Sequence, residues 1–397
     1  MTPSLSSGHP HKCGLRPAVT QVEKLSTAFT TGMSVISGRQ LSRMTDIHRS
    51  GYPRRPAAPL ASPLGGFCGR SMTDCRTLIR DREVSAGVVR EVLSVVSSVS
   101  HVVETTLRLR LVPSFNPLQD VKAGYVGASP WTHRQWRDAE GFEKLTVSCA
   151  QQSFVVTAPG AKISVTDDAV TLEWHVTAQQ RESVSVEWSV VLHDDSLVVV
   201  GVSRPVEWTL DGTAIAAVAD SRVGRWLQTA LGDLDALRLA LPDHPEDEFY
   251  AAGAPWFFTL FGRDSLWAAR LALPVDHRIA ASTLRVLARL QGHNLNPDSA
   301  EEPGKIPHEL RSSEFSMPAD GISLPPVYYG TVDATALWVS LLADAWKSGM
   351  PHEEVRALLP ALRAALDWIV NYGDSDGDGF IDYIDRTGHG LTNQGWK

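Results

Sequence analysis

Four aromatic side chains stand beside an arginine and an aspartate in one short segment of the chain. The segment 252–265 reads AGAPWFFTLFGRDS and ends where an amphipathic helix is expected to begin. Aromatic faces stack on the CH faces of sugars, and charged groups exchange hydrogen bonds with hydroxyl groups. The sequence therefore indicates a sugar-binding site, and its candidate residues are Trp256, Phe261, Arg263 and Asp264.

Three further segments each carry an acid, a base or an aromatic residue close to an expected helix boundary. They are 302–311, 325–335 and 393–397, which read EPGKIPHELR, PPVYYGTVDAT and NQGWK. Loops between rigid elements often carry function, and helix N-termini meet at one end of a helical barrel. We therefore expect these groups to share a pocket with the aromatic segment. The candidates are His308, Glu309, Tyr329, Asp333, Trp396 and Lys397.

Each of these segments also has a purely structural interpretation. The first could be a helix start with Asp264 in its first turn and a buried tryptophan. His308 and Glu309 could form an ion pair within a loop, and Asp333 could cap a helix. Taken alone, no segment decides between structure and function, so their order along the chain has to be considered.

An acidic segment near residue 380 has the spacing of a calcium-binding loop. The segment 374–385 reads DSDGDGFIDYID and carries acids at loop positions 1, 3, 5, 9 and 12, with glycine at 6. This is the ligand pattern of an EF-hand-type loop, except that Asp replaces Glu at position 12. The alternative is an acidic turn after a helix. The predicted calcium ligands are Asp374, Asp376, Asp378, Asp382 and Asp385.

The composition argues against several classes of function. A chain of 397 residues with 43% hydrophobic and 21% charged residues is ordinary for a globular protein of two or three domains. The net charge of -8 argues against nucleic acid as the main partner. We find neither a bilayer-spanning apolar run nor a secretory signal. Four cysteines without zinc-like spacing fit a reducing cytosol, so we expect a cytoplasmic protein.

Hydrophobic periodicity divides the chain into three parts. Residues 1–64 are rich in Ser, Pro, His and Arg, which predicts a disordered tail. Over 65–205 the period is 2, as in VETTLRLRL and VSVEWSV, which predicts an antiparallel β-sandwich. Over 206–397 a period of 3.6 predicts helices, with a long connection from about 292 to 330. The expected fold is therefore a multidomain one, a sandwich followed by a helical domain.

Apolar spacing also predicts individual helices. Trp226, Leu234 and Leu237 indicate a linker helix, and Asp276 is placed to cap a later one. A further apolar stripe extends over 355–370 and predicts one long helix.

In their order along the chain, these segments resemble bacterial amylo-α-1,6-glucosidases. Those proteins are glycogen-debranching-type enzymes on an (α/α)6 barrel, related to glucoamylases and mannosylglycerate hydrolases. The resemblance covers about 220–397 and extends to the family's N-terminal sandwich over about 100–205. Before residue 100 its one candidate is Asp74-Cys75-Arg76, where the family has Asp-Thr-Arg. The resemblance implies a sandwich joined to the first part of an (α/α)6 barrel.

The resemblance also implies roles for particular residues. Arg263 would donate to the hydroxyls of a non-reducing glucose, Asp264 would accept from them, and Phe261 or Trp256 would stack on the ring. The residues that match positions lining the family's cleft are His308, Glu309, Tyr329 and Asp333. Trp396 and Lys397 match the start of a Trp-Lys-Asp motif.

The implied activity is hydrolysis of α-glucosidic bonds, at the α-1,6 branch points of glycogen-like glucans. Inverting glycosidases use one carboxyl group as acid and another as base. The acid is expected directly after the Trp-Lys pair and the base far downstream. Since the sequence stops at Lys397, we expect neither within it and no activity from it as it stands.

Two alternatives remain open at this point. One is a related hydrolase of a small glycoside such as mannosylglycerate, and the other is a non-catalytic carbohydrate-binding remnant. In each case the expected partner is an oligosaccharide or polysaccharide, with neither nucleic acid nor membrane. No cofactor is expected to be required, and Ca²⁺ is a predicted structural ion.

Overall fold

The computed structural model shows two β-sheets around one core, followed by a helical unit. It describes residues 29–36, 45–50, 76–85, 87–117, 120–121, 129–202, 204–206, 208, 220–317, 321–382 and 384–391, the first two ranges as backbone only. Two predicted site residues, Trp396 and Lys397, lie outside the described residues.

The first sheet has four antiparallel strands in the order β1-β5-β10-β9. The second has seven strands in the order β2-β3-β4-β11-β8-β7-β6, in which β2 and β3 pair in parallel and the other pairs are antiparallel. The strands are β1 (Phe29–Ile36), β2 (Thr45–Ser50), β3 (Arg76–Ser85), β4 (Val88–Ser97), β5 (Val103–Pro113), β6 (Thr132–Arg137), β7 (Glu143–Cys149), β8 (Gln152–Thr157), β9 (Lys162–Val165), β10 (Val170–Ala178) and β11 (Ser183–Asp194).

Alternating side chains build the core between these two sheets. In β4 every second residue is buried, and the same holds through most of β5. Leu93 and Val95 of the second sheet lie in one buried cluster with Leu109 and Leu172 of the first. Each fully buried Leu of this kind contributes roughly 1.5–3 kcal/mol. The period of 2 predicted these antiparallel sheets, and the structure confirms them.

Two strands lie inside the range predicted to be a disordered tail. β1 pairs along its whole length with β5, and β2 pairs with β3. This corrects the expectation for 29–36 and 45–50. The prediction used the average composition of residues 1–64. This average does not show that β1, with the sequence FTTGMSVI, is rich in β-branched and apolar residues.

One carboxylate is buried among the hydrophobic side chains of the second sheet. Glu91 is 1% exposed and accepts hydrogen bonds from Arg80 Nε at 2.9 Å and from Trp188 Nε1 at 2.8 Å. Arg82 donates to the same carboxylate at 3.2 Å. Such a charge is tolerated in a core only because its oxygens are paired.

We expect Glu91→Ala to lower the free energy of unfolding by about 3–5 kcal/mol, since it leaves two arginines without their buried partner. The control is Glu187→Ala on the adjacent β11, because Glu187 forms an exposed pair with Arg90 at 2.8 Å. Urea unfolding measures both. Equal midpoints for the two variants would show that the buried network stabilises nothing.

A small sheet and a helix connect the two parts of the chain. The strands β12 (Val200–Gly201), β13 (Arg238–Leu241) and β14 (His244–Tyr250) pair in that order. Helix α1 (Ser221–Ala236) begins after Asp220, whose side chain accepts from the Arg222 amide at 2.9 Å. The predicted linker helix is confirmed, but Trp226 lies on its outer side and is 72% exposed.

The helical unit is built around a second core. Its helices are α2 (Gly262–Ala272), α3 (Arg278–Arg289), α4 (Ala334–Lys347), α5 (His352–Ala357) and α6 (Leu359–Asn371). Leu266, Leu284 and Trp338 have almost no exposed surface and bring α2, α3 and α4 together. Asp276 accepts from the Arg278 amide at 2.9 Å, which confirms its predicted capping role at α3. The helices of the described part of the chain do not close a barrel, so the (α/α)6 architecture stays a proposal.

The stripe predicted over 355–370 is divided between two helices. α5 ends at Ala357 and α6 begins at Leu359, with Pro360 in its first turn. The buried face of α6 is formed by Ala365 and Trp368, whereas Val370 is 72% exposed. The apolar spacing alone did not reveal this break after Ala357.

The predicted long connection between α3 and α4 contains two pairs of short antiparallel strands, one enclosed by the other. β15 (Glu309–Leu310) pairs with β18 (Val327–Tyr328), and β16 (Phe315–Met317) pairs with β17 (Ile322–Leu324). Gly304 holds the start of this connection against α6. It has φ +88°, and a Cβ there would lie 2.0 Å from the Ala364 carbonyl oxygen. The connection is therefore packed on the helices over the residues that precede His308.

Gly304→Ala is expected to destabilise the helical unit more than Gly349→Ala. Both glycines have positive φ, but a Cβ at Gly349 would meet nothing within 4 Å. The backbone strain is about 1–2 kcal/mol at either site, and the clash at Gly304 adds about 1–3 kcal/mol. Thermal unfolding measures the difference. Losses of equal size would mean that the close approach to α6 is not required.

Candidate functional site

Backbone contacts bring the first two predicted segments together. Phe261, in extended conformation, precedes α2 and forms a bridge with Glu309. The Gly262 amide donates to the His308 carbonyl at 2.8 Å. A Cβ on Gly262 would lie 2.1 Å from the Pro307 carbonyl oxygen, so glycine is needed for this approach. The start of α2 is thereby fastened to the loop that carries His308 and Glu309.

The third segment joins the same cluster through β18. The His308 amide donates to the Tyr328 carbonyl at 2.7 Å, and Glu309 pairs with Tyr328 in the β15–β18 ladder. Three of the predicted segments therefore meet at the N-terminus of α2. The last predicted segment, at 393–397, lies outside the described residues.

Arg263 and Asp333 form an ion pair in this cluster. The Arg263 Nη1 atom lies 3.3 Å from Asp333 Oδ2, and the two side chains are 10% and 29% exposed. Thr331 Oγ1 donates to Asp333 Oδ1 at 2.7 Å. Asp333 precedes α4 as predicted for a cap, but its side chain makes no capping hydrogen bond. Its carboxylate instead orients Arg263.

Asp264 follows Arg263 in the chain and is a second acid of the cluster. It lies in the first turn of α2 and is partly exposed. Partial burial raises the pKa of Asp264, the positive charge of Arg263 lowers it, and the negative charge of Asp333 raises it further. The net shift is upward, and the influence of Asp333 shows that the two carboxylates belong to one electrostatic cluster.

His308 is a neutral, buried side chain. Burial and the positive charges of Arg263 and Arg311 lower its pKa to about 3. Its ring packs edge-on against Phe261 and Tyr328, with centroid distances of 5.6 and 6.0 Å. The predicted alternative of an ion pair with Glu309 is wrong, since Glu309 pairs with Arg311 at 2.6 Å.

Tyr329 is engaged with the backbone of the neighbouring helix end. Its hydroxyl donates to the Leu290 carbonyl at 2.8 Å, and burial raises its pKa to about 12. The structure therefore places Tyr329 as a tie between this loop and the end of α3.

Aromatic side chains form the accessible rim of the cluster. Phe257 is 43% exposed and packs edge-on against Phe261 at a centroid distance of 5.6 Å. Trp256 is partly buried, so its exposure does not decide between the sugar-binding interpretation and the structural alternative. Phe257 thus offers an exposed aromatic face next to Phe261, which precedes α2.

Sequence reasoning missed two side chains that take part in the cluster. Thr331 orients Asp333, and Arg311 pairs with Glu309. Both lie inside the segments that were singled out. The one available signal for Arg311 is its spacing of two residues from Glu309, which places both on one side of an extended strand.

The acidic loop brings together three of its five predicted calcium ligands. Carboxylate oxygens of Asp374, Asp376 and Asp382 lie within 4.8 Å of one another. Asp378 instead accepts from the Phe380 amide at 2.9 Å, and Asp385 accepts from the Thr387 amide at 3.0 Å. The donor set fits a hard cation such as Ca²⁺ in part, with three carboxylates rather than five. Calcium binding remains a proposal.

A groove on the β-sandwich lies apart from all predicted site residues. It has a volume of about 430 Å³ and runs along β6 and β7. Its lining residues are Thr132, His133, Arg134, Trp136, Thr146 and Ser148.

Comparisons with known proteins give only distant structural likenesses. No protein-family model matches the chain, and no curated protein matches its sequence. A solved structure described as a kojibiose phosphorylase from the human microbiome is similar over 70% of this chain and 51% of its own, with 9% identity and a TM-score of 0.34. A bacterial glucoamylase complexed with acarbose is similar over 75% and 50%, with 10% identity and a TM-score of 0.36. The chain spans about half the length of these proteins, and TM-scores this low establish neither fold nor activity.

Calcium at millimolar concentration should raise the thermal midpoint if the acidic loop binds it. A dissociation constant of roughly 10⁻⁴–10⁻³ M would give about 1–2 kcal/mol at 5 mM. Asp376→Asn should abolish the shift, whereas Asp378→Asn, which removes the same charge outside the three-carboxylate group, should retain most of it. No difference between midpoints in calcium and in EDTA would contradict calcium binding.

Proposed function

We propose that the cluster at the start of α2 binds a saccharide, and that the protein belongs to the glycoside hydrolases acting on α-glucosidic bonds. The observation that carries this proposal is an arginine held by a partly buried ion pair, followed in the chain by a partly exposed acid and preceded by an exposed aromatic side chain. Arg263, Asp264 and Phe257 are these three groups. Sugar recognition needs charged hydrogen-bond partners and an apolar face at one place.

The division of roles follows from exposure and charge. Arg263 is held by Asp333 and would donate to hydroxyl groups without losing side-chain freedom on binding. Asp264 is partly exposed and would accept from a hydroxyl in its ionised form. His308 is neutral and would keep the Phe261 ring in place. The cluster thus offers one donor and one acceptor beside an aromatic face.

The proposed linkage is the α-1,6 branch of a glycogen-like glucan, and it is supported by the order of the sequence segments. An inverting mechanism would need an acid and a base about 6.5–9.5 Å apart. We assign neither role to Asp264, Glu309 or Asp333, since each is interpreted as a binding or orienting group. None of the helices in the described part of the chain is long and apolar enough to cross a membrane.

Asp264→Asn should weaken the binding of isomaltose about tenfold or more, because one charged hydrogen bond is worth roughly 1.5–3 kcal/mol. The matched control is Glu353→Gln, which neutralises an exposed acid in the first turn of α5. Calorimetric titration measures both. Binding by the wild-type protein should also weaken as the pH falls through the raised pKa of Asp264, where the acceptor becomes protonated.

Stability provides the second readout for Asp264. Because its folded-state pKa is raised, ionisation disfavours the folded state as the pH rises from the unfolded value of about 3.8 through the folded one. At neutral pH the Asn variant should therefore be at least as stable as the wild type. A folded Asp264→Asn protein with unchanged affinity would rule out this residue as a sugar ligand, and loss of folding would indicate a structural role.

A further inference from the structure

The groove along β6 and β7 of the β-sandwich is built from side chains that share one face of the sheet. Antiparallel pairing places Thr132 opposite Ser148 and Arg134 opposite Thr146. Residues directly opposite each other point to the same face of a sheet, and so do residues two apart in one strand. Trp136 lies two residues after Arg134, so it projects from this same face, and all five side chains line the groove.

Trp136 supplies an aromatic surface in a fixed position. Its indole Nε1 donates to Thr146 Oγ1 at 3.0 Å, which ties the ring to the neighbouring strand. The side chain is partly buried, whereas the other residues of β6 are exposed. Because the ring is already held in the free protein, a ligand that packs on it loses little affinity to ordering the side chain.

Arg134 gives the groove a positive charge that no described residue neutralises. Lys144, on the same face, pairs with Asp138 at 3.2 Å and donates to Thr157 Oγ1 at 3.0 Å. Arg134 is exposed and forms no ion pair with a described residue. The described side chains that line the groove include His133 but no acid. In a protein of net charge -8, the groove is therefore a local site for an anionic group.

The polar groups of the groove favour a ligand that carries a carboxylate and hydroxyl groups. A guanidinium only donates hydrogen bonds and an ionised carboxylate only accepts them, and the planar guanidinium can bind both carboxylate oxygens at once. The hydroxyls of Thr132 and Ser148 can donate to the hydroxyl groups of a sugar or accept from them. The groove volume of about 430 Å³ lies within the range of small-molecule sites, roughly 300–1,000 Å³.

We propose that this groove binds an anionic saccharide, a sugar that carries a carboxylate. The sugar ring packs on the Trp136 indole, its carboxylate pairs with Arg134, and its hydroxyl groups bind Thr132 and Ser148. Charge complementarity favours this ligand over a neutral glucan, and the aromatic surface favours it over an inorganic anion. The site shares no residue with the cluster at the start of α2, so the inference does not rest on the proposed function.

The test is calorimetric titration with a trimer of α-1,4-linked galacturonic acid and with the same trimer after methyl esterification of its carboxyl groups. The wild type should bind the acid about tenfold or more tightly than the ester, and salt should reduce this preference because it screens an exposed charge pair. Arg134→Gln should lose the preference, whereas Trp136→Ala should weaken the binding of both trimers. The matched control is Arg137→Gln, which removes an exposed arginine from the other face of the same strand and should behave as the wild type.

Three results would overturn this inference. The first is equal affinity of the wild type for the acid and the ester, or equal losses in Arg134→Gln and Arg137→Gln. The second is displacement of the trimer by excess isomaltose, which would assign the binding to the α2 cluster. The third is binding of a hexaglutamate peptide as tight as that of the trimer, which would indicate that the edge of β6 pairs with an extended acidic peptide. Should Trp136→Ala not fold, as judged by circular dichroism, Arg134→Gln at an exposed side chain still decides the question.

Discussion

The candidate site depends on one backbone contact, the approach of Phe261 and Gly262 to the strand that carries His308 and Glu309. The Gly262 amide donates to the His308 carbonyl, and no side chain fits between Gly262 and the Pro307 carbonyl. This contact, together with the hydrogen bond from the Leu310 amide to the Leu260 carbonyl at 3.0 Å, holds the connection after α3 against the start of α2. With it, Arg263 and Asp264 extend from a helix start whose position is set by a neighbouring strand. The neutral ring of His308 packs edge-on against the rings of Phe261 and Tyr328 beside this contact.

The arginines of the cluster form ion pairs with neighbouring carboxylates, whereas the carboxylate of Asp264 stays partly exposed. Arg263 pairs with the carboxylate of Asp333, and Arg311 pairs with that of Glu309. Burial and the two cations lower the pKa of His308 to about 3, so its ring adds no third positive charge. Asp264 is left partly exposed with a raised pKa. Shifted pKa values beside a fixed ion pair are common at functional sites, and structural ion-pair networks also produce them.

The sequence was sufficient to predict the sheets, most of the helices and the meeting of three motif segments. Period-2 alternation predicted β5 and β11, and helical spacing predicted α2, α3 and α4. Side-chain roles were harder, because they depend on partners distant in sequence. His308 and Glu309 are adjacent in the chain but point to different partners, since neighbours in an extended strand face opposite ways. Likewise the calcium pattern predicted five ligands, whereas three of these acids, Asp374, Asp376 and Asp382, have carboxylate oxygens within 4.8 Å of one another.

The packing of α6 shows why the position of this site cannot be understood from the motif residues alone. Gly304 lies against the Ala364 carbonyl, and Glu302 accepts from the indole of Trp368 at 2.8 Å. Lys305 donates to the Ala300 carbonyl at 3.1 Å and lies 5.4 Å above the Trp368 ring, and burial lowers its pKa. These residues precede His308 in the connection between α3 and α4. Contacts with α6 therefore hold the chain before His308, and pairing with β18 holds it at His308 and Glu309. The Pro-Gly-Lys part of the motif is thus explained by packing, which helps to position His308 and Glu309.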